Sequence, residues 1–282
     1  VAGHPDFLLL SAIAADLEAR AGGAGRIVQE VPELLREVID DVIQTPTTGR
    51  RSYDELEKTE KTYIGTRVEI MLRALLSLPR GRLDAVVLGH DTDIKHTMGN
   101  NWMIPSEAIG HVCILTAADE NRARCYFGLF VAHAEYLTGA GNRDGKKSLS
   151  ASGKAHVLWI FANHPYPPNF WRTIPASSVE RIVMGRTGNE RVMALFREVQ
   201  GVPVTRKTVE GVARQQDFMR RVRADNGRGT RDLLAAEGIL LLSGQYDGPL
   251  IRSLGLPLGD FVAHTPLNEQ ELELARAAGW QV

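Results

Sequence analysis

Apolar residues recur at spacings of three and four over the first ~45 residues, the period of helices that bury one stripe. They are Leu8, Leu9, Ile13 and Leu17, then Val31, Leu34, Leu35, Val38, Val42 and Ile43. Thr45-Pro46-Thr47-Thr48-Gly49 interrupts this pattern. The spacing next predicts a long helix over Ser52–Leu78, with Leu56, Tyr63, Ile64, Val68, Met71, Leu72 and Leu75 on one face. Ser52 and Glu55 stand in capping-box positions, and Pro79 and Gly81 end the helix. A β-rich stretch follows. Leu83–Leu88 and Asp91–Met98 read as a hairpin turning around Gly89-His90, and His111–Ala117 and Cys125–Ala132 as further strands. Thr138–Asp144 is a Gly/Asn loop, and Ser150–Ala155 leads into a short helix or strand ending near Ala162.

The segment NHPYPPNFWRTIPASS, Asn163–Ser178, carries four prolines in 16 residues and reads as a linker or the wall between domains. The expected division is a first domain over 1–165, a linker over 166–178 and a second domain over 179–282. In the second, helices are predicted over Asn189–Val199, Thr205–Gln215 and Asp217–Asp225, then a Gly-rich loop and the apolar run Gly238–Leu242. Two short helices and a following strand or hairpin outline a winged helix-turn-helix. Val209, Val212, Phe218, Met219 and Val222 would be its core. The fold class expected is mixed α/β followed by this helical module.

Composition narrows the class. With 44% hydrophobic and 24% charged residues in 282, the chain is neither disordered, collagenous nor a coiled coil. No stretch approaches the ~20 apolar residues of a bilayer span. Two cysteines do not make a disulfide framework, so a soluble protein of the reducing cytoplasm is expected. The net charge of −1 hides an asymmetry. Between Arg172 and Arg231 there are 13 basic and six acidic residues, a balance of +7 that leaves −8 elsewhere. Nearly all the basic residues there are arginines, whose planar fork suits phosphate oxygens. A basic second half suggests contact with nucleic acid, with Arg214, Arg220, Arg221 and Arg223 on the helical pair as the candidate DNA-binding residues. By periodicity alone, a purely structural helical pair fits nearly as well.

The chemistry candidate is Asp84-x9-Asp93-Ile94-Lys95, with Glu69 upstream on the long helix. Acid-x-Lys alone is weak; a second copy, Asp144-Gly145-Lys146, stands in the Gly/Asn loop. Context separates the two. Asp93 and Lys95 share one face of a strand, and a turn centred on Leu88-Gly89 puts Asp84 opposite Asp93. Facing carboxylates repel unless a cation sits between them. Glu69 flanks the apolar stripe and could look towards the sheet, completing a three-carboxylate, hard-oxygen site suited to Mg²⁺. Lysine beside it can orient water or stabilise phosphate charge. The alternative is four ordinary surface charges. Other signals fail on spacing: Gly139–Lys147 lacks the Walker arrangement, the eight histidines lack metal-ligand spacing, no serine has a Gly-x-Ser-x-Gly setting, and Cys113 and Cys125 read as core thiols.

At these residues the sequence resembles the NaeI family of type IIE restriction endonucleases. The resemblance runs from about Glu37 to Pro257. It is carried by Thr48-Gly49-Arg50, LEKTEKTYIGTRVEI (Leu56–Ile70), Asp84-x9-Asp93-x-Lys95 and WMIPSEAIGH (Trp102–His111). It continues through GNRD (Gly141–Asp144), ALFREVQG (Ala194–Gly201), ARQQDFMRRVR (Ala213–Arg223), EGILLL (Glu237–Leu242) and LGLP (Leu254–Pro257). It implies a homodimer whose first domain has a PD-(D/E)xK restriction-endonuclease-like core, a mixed sheet flanked by helices. The second domain would be a winged helix-turn-helix like that of catabolite activator protein. Each domain would bind double-stranded DNA, one site stimulating cleavage at the other. Glu69, Asp84, Asp93 and Lys95 fall on the family's catalytic positions, the three acids being its Mg²⁺ ligands, and GCCGGC is the expected recognition sequence. Asp91 is not part of the pattern, and the loop before Trp102 is one residue shorter. A nicking or mismatch-repair endonuclease and a non-catalytic winged-helix regulator are the alternatives.

Overall fold

The computed structural model describes residues 4–215, 222 and 227–281. The chain divides into two compact units. One takes the chain up to Ile43 together with Ser52–Asn169; the other takes Gln44–Arg51 with the chain from Phe170 onward.

The first unit opens with helices α1 (Phe7–Arg20) and α2 (Ala24–Ile43). A single helical turn, α3 (Thr45–Thr48), follows Gln44 in a left-handed conformation and belongs to the other unit. Helix α4 (Lys58–Leu75) is shorter than the spacing predicts. Ser52 Oγ does donate to Glu55 Oε1 at 2.9 Å, but this closes only a 3₁₀ turn, Tyr53–Glu55. Leu56 is extended and buried, so the chain bends inward before the helix starts. The capping box is Glu57 with Glu60, whose carboxylate accepts the Glu57 N–H at 2.9 Å. Ile64, Val68 and Leu72 form the buried stripe, whereas Tyr63 is half exposed.

The sheet contains β1 (Ala85–Val87), β2 (His90–Thr97), β4 (Val112–Asp119), β5 (Arg124–Val131) and β7 (Leu158–Pro165), in the order β1-β2-β4-β5-β7. β2 and β4 run parallel; the other neighbours are antiparallel. A parallel pair needs a crossover. Here it contains the short strand β3 (Met103–Ile104), which pairs with β6 (Lys147–Ser148). Helix α5 (Ala151–Ala155) precedes β7. β4 is buried from Val112 to Ala118, as expected where both faces are covered. One face carries Ile94, Ile114, Phe127 and Leu129 against α1, α2 and α4. The opposite face carries Cys113, Leu115 and Phe130, packed with Trp102, Leu137 and Leu149.

In the second unit, α6 (Ala176–Val183) forms across the end of the expected linker. Val179 and Ile182 are buried in its core with Trp171; the prolines hid a helix whose N-cap is itself proline, Pro175. Then come α7 (Gly188–Glu198), α8 (Arg206–Ala213), α9 (Thr230–Ala236), β8 (Leu240–Ser243), α10 (Gly248–Ser253), β9 (Phe261–His264) and α11 (Glu269–Ala277). β8 pairs antiparallel with β9 across the intervening α10 rather than in a tight hairpin. Val209, Val212 and Val222 are buried. Of the helix predicted over Asp217–Asp225, only Val222 is among the described residues; the rest, including Phe218 and Met219, lies outside them.

Candidate active site

The β1–β2 hairpin positions the acidic residues. Ala85 pairs with Thr92 and Val87 with His90, so the two-residue turn is Leu88-Gly89. Both turn residues have positive φ, 49° and 81°, as a type I′ turn requires. Continuing this register places Asp84 opposite Asp93, with the Asp84 N–H donating to Thr92 O at 3.2 Å. Asp93 lies beside Cys113 of β4 and Lys95 beside Leu115. The acidic pair and its lysine therefore share the sheet face opposite the α2 and α4 layer.

Lys95 Nζ joins the two carboxylates, 2.6 Å from Asp93 Oδ1 and 3.4 Å from Asp84 Oδ2. It also donates to the main-chain oxygen of Ile94 at 3.2 Å. Asp84 Oδ2 accepts the Ile94 N–H at 2.7 Å, which fixes that carboxylate to β2. Asp93 is buried, and burial pushes its carboxyl up to about 6, with Lys95 opposing and the Asp84 charge adding to the shift. Burial also works against the charged form of Lys95, but Asp93 and then Asp84 outweigh it and hold the ammonium above its ordinary value. A lysine in this setting keeps its proton at neutral pH.

Glu69 enters from α4. Its carboxyl is raised first by partial burial and next by the Asp84 charge, while Arg73, Lys95 and Arg80 pull it down. It therefore stands within the electrostatic field of the cluster. Its nearest ion-pair partner is Arg73, at 3.9 Å. Arg73 also donates to the main-chain oxygen of Asp84 at 3.1 Å, tying the helix to the strand at the acidic residue. The sequence reading did not single out Arg73. Its Glu-to-Arg spacing of four on a helix was the available signal. The expected three-carboxylate cluster is thus two carboxylates meeting at a lysine, with the third set back beside an arginine. Among the described residues, no three His, Cys, Asp or Glu side chains converge as a ready metal-binding group.

Asp93 Oδ2 nevertheless bears on metal binding. It is buried and has no hydrogen-bond partner among the described residues. A buried carboxylate oxygen left unsatisfied is a costly feature outside a functional site, and an oxygen donor of this kind is what a hard divalent cation takes. The donor chemistry therefore fits such an ion.

The family profile described as Restriction endonuclease NaeI matches residues 20–262. The chain belongs to the NaeI restriction endonuclease family. A type II restriction enzyme NaeI from Lentzea aerocolonigenes is 35% identical over 235 residues, covering 80% of this chain and 73% of that relative. The matched NaeI region includes both the hairpin cluster and helices α6 to α9 of the second unit.

Arg214 ends α8 in a left-handed conformation, and its Nη2 donates to Pro46 O at 2.6 Å within the second unit. Arg220, Arg221 and Arg223 lie outside the described residues. Asp91 does not join the cluster: its Oδ1 accepts the Leu83 N–H at 3.1 Å, and its Oδ2 lies 3.2 Å from Arg82 Nε. Cys113 and Cys125 are free and buried, and burial pushes the Cys125 thiol up to about 12. Neither has thiolate chemistry at neutral pH. Among the described residues, no helix is long and apolar enough to cross a membrane.

Proposed function

We propose that this protein is a Mg²⁺-dependent type II restriction endonuclease that cuts both strands of duplex DNA at a specific site. The observation that carries the reading is the Lys95 ammonium held between Asp84 and Asp93 beside the unsatisfied Asp93 Oδ2. Asp84 and Asp93 would hold the metal, and Glu69 would complete its shell directly or through water. When bound, Mg²⁺ supplies charge neutralisation at the phosphoryl oxygens and a more acidic bound water. Lys95, protonated, orients the attacking water and donates to the negative charge that grows on the phosphate. Water attacks phosphorus in line, the bond from phosphorus to the 3′ oxygen breaks, and that oxygen leaves with a proton. The ends are a 5′-phosphate and a 3′-hydroxyl.

In this reading the first unit is the nuclease domain, and the second is a winged-helix module that binds another copy of the DNA site. The helical pair read from the sequence over Val204–Arg223, of which α8 is the first member, and the basic stretch up to Arg231 support a duplex-binding role, with Arg214, Arg220, Arg221 and Arg223 contacting phosphates or bases. The working assembly is a homodimer, the recognition sequence GCCGGC and the location the cytoplasm.

The test is incubation with supercoiled plasmid carrying GCCGGC, with and without Mg²⁺. The expected result is discrete linear fragments only with Mg²⁺, and their loss in Lys95→Ala while DNA binding persists. A Lys95→Ala protein cutting at the wild-type rate would refute the site assignment. Open circles without linear product would refute double-strand cleavage.

A further inference from the structure

The loop leading into Asp84 carries two exposed arginines, Arg80 and Arg82, and is held in one conformation by residues the proposed reaction does not use. The Val86 N–H donates to Pro79 O at 2.9 Å. Asp91 Oδ1 accepts the Leu83 N–H at 3.1 Å. Gly81 is packed so closely that a Cβ there would lie 2.3 Å from Asp91 Oδ1 and 2.7 Å from Ala85 O. The loop thus leaves no room for a side chain at its centre.

Arg82 is braced on two sides. Its Nε lies 3.2 Å from Asp91 Oδ2, and its Nη2 donates to His111 Nε2 at 3.3 Å. An arginine only donates, so the imidazole accepts at Nε2 and carries its proton on Nδ1. The side chain still remains 76% exposed, with Nη1 unengaged among the described residues. A surface ion pair of this kind adds little stability. What it does supply is orientation: the guanidinium gives up its rotamer freedom in advance, one face tied down and the other presented to solvent.

Position supplies the ligand class. Asp91, Asp93 and Lys95 alternate along β2 and so share one face, and two residues along a strand advance about 6.6 Å. That step is comparable to the separation of neighbouring phosphates on one DNA strand. Arg82 therefore borders the acid pair at roughly one phosphate's remove, and the charge of Arg80 is felt at Glu69. The carboxylates of Asp84 and Asp93, only partly offset by Lys95, and the nearby Glu69 repel a polyanion, so cations at their border favour docking.

We propose that Asp91 and His111 are positioning residues that hold Arg82 as a contact for the DNA backbone phosphate next to the one being cut. This rests on the nuclease reading above and adds a binding residue to it. The experiment is fluorescence anisotropy of the full chain with labelled duplexes, one containing GCCGGC and one of unrelated sequence. Ca²⁺ replaces Mg²⁺, and salt is varied from about 50 to about 200 mM. Arg82→Ala is expected to weaken binding about tenfold at low salt. It should also reduce the slope of log affinity against log salt by about 0.9 on both duplexes, the mark of one lost phosphate contact. Arg82→Lys should restore the slope. Asp91→Ala should reproduce the Arg82→Ala slope and add nothing to it in the double variant. A thermal melt unchanged in Arg82→Ala confirms that the exposed position leaves folding intact. Wild-type slope in Arg82→Ala, or a further loss in the double variant, overturns the inference alone. Failure of the wild-type protein to bind either duplex overturns the nuclease reading, and this inference with it.

Discussion

Replacing Asp93 by Asn is expected to make the protein more stable while abolishing cleavage. The Asp93 carboxyl is buried, and burial raises it from an ordinary 3.8 to about 6, after the attraction of Lys95 has been felt. At about 1.4 kcal/mol per pH unit, carrying this negative charge costs the folded state about 3 kcal/mol at pH 7.5. Asparagine keeps the shape and removes the charge. The pull of Lys95, 2.6 Å from Asp93 Oδ1 and 3.4 Å from Asp84 Oδ2, is already contained in that figure. The expectation is a stabilisation of up to about 3 kcal/mol, a rise of several degrees in the melting of the first unit. The pH dependence has a definite sign. A carboxyl raised on folding is no burden below its unfolded value of 3.8, where both states hold the proton, and its full burden appears above about 6. The advantage of Asp93→Asn should therefore be complete at pH 7.5 and fade as pH falls from 6 towards 4. The assay is calorimetry in EDTA at a series of pH values, with plasmid cleavage measured in parallel. An Asn variant less stable than wild type at pH 7.5, or a gain independent of pH, would show that Asp93 is not a strained buried carboxylate.

Two further substitutions test the framework around the site. Leu88→Asn should stabilise the hairpin by about 0.5–1 kcal/mol, because Leu88 is half exposed at a φ of 49° where asparagine is better tolerated; a lowered melting temperature would contradict this. Arg191→Met should destabilise the second unit by about 3 kcal/mol in urea unfolding. The buried guanidinium donates to Val212 O at 2.8 Å, Ala213 O at 3.1 Å and Gly185 O at 2.9 Å, and a loss below about 1 kcal/mol would mean those carbonyls find other donors.

The legible parts of the sequence were those in which one local rule governs several residues. The register of the β1–β2 hairpin followed from a two-residue turn, and with it the facing of Asp84 and Asp93. The helices α2, α7 and α8 followed from their apolar period. The start of α4 did not, because Leu56 satisfies the helical stripe and is buried, yet is extended on its way into the core. Helix α6 was masked by prolines that precede it rather than break it. Strand β9 and its pairing with β8 depend on contacts across an intervening helix, which no local spacing encodes. In the candidate site, side-chain type and strand parity indicated that Asp84 faces Asp93 and that Lys95 shares their face, but not that the ammonium itself joins the two carboxylates. The setback of Glu69 beside Arg73 depends on how α4 lies against the sheet, and periodicity does not report that.

The excursion of Gln44–Arg51 into the second unit bears on how such proteins can evolve. The segment is built in: Thr45 is buried, Arg51 Nε donates to Trp171 O at 3.1 Å, and Pro46 O accepts from Arg214 at 2.6 Å. The two units therefore cannot be traded between relatives by a single recombination event near residue 170. An exchange that preserves both would need coordinated junctions at 43/44, 51/52 and 169/170. One crossover would deliver a second unit lacking eight of its own residues and a first unit interrupted by a foreign loop. Interleaving of this sort binds the two units into one heritable whole, so that changes in either are inherited with the partner they were selected beside.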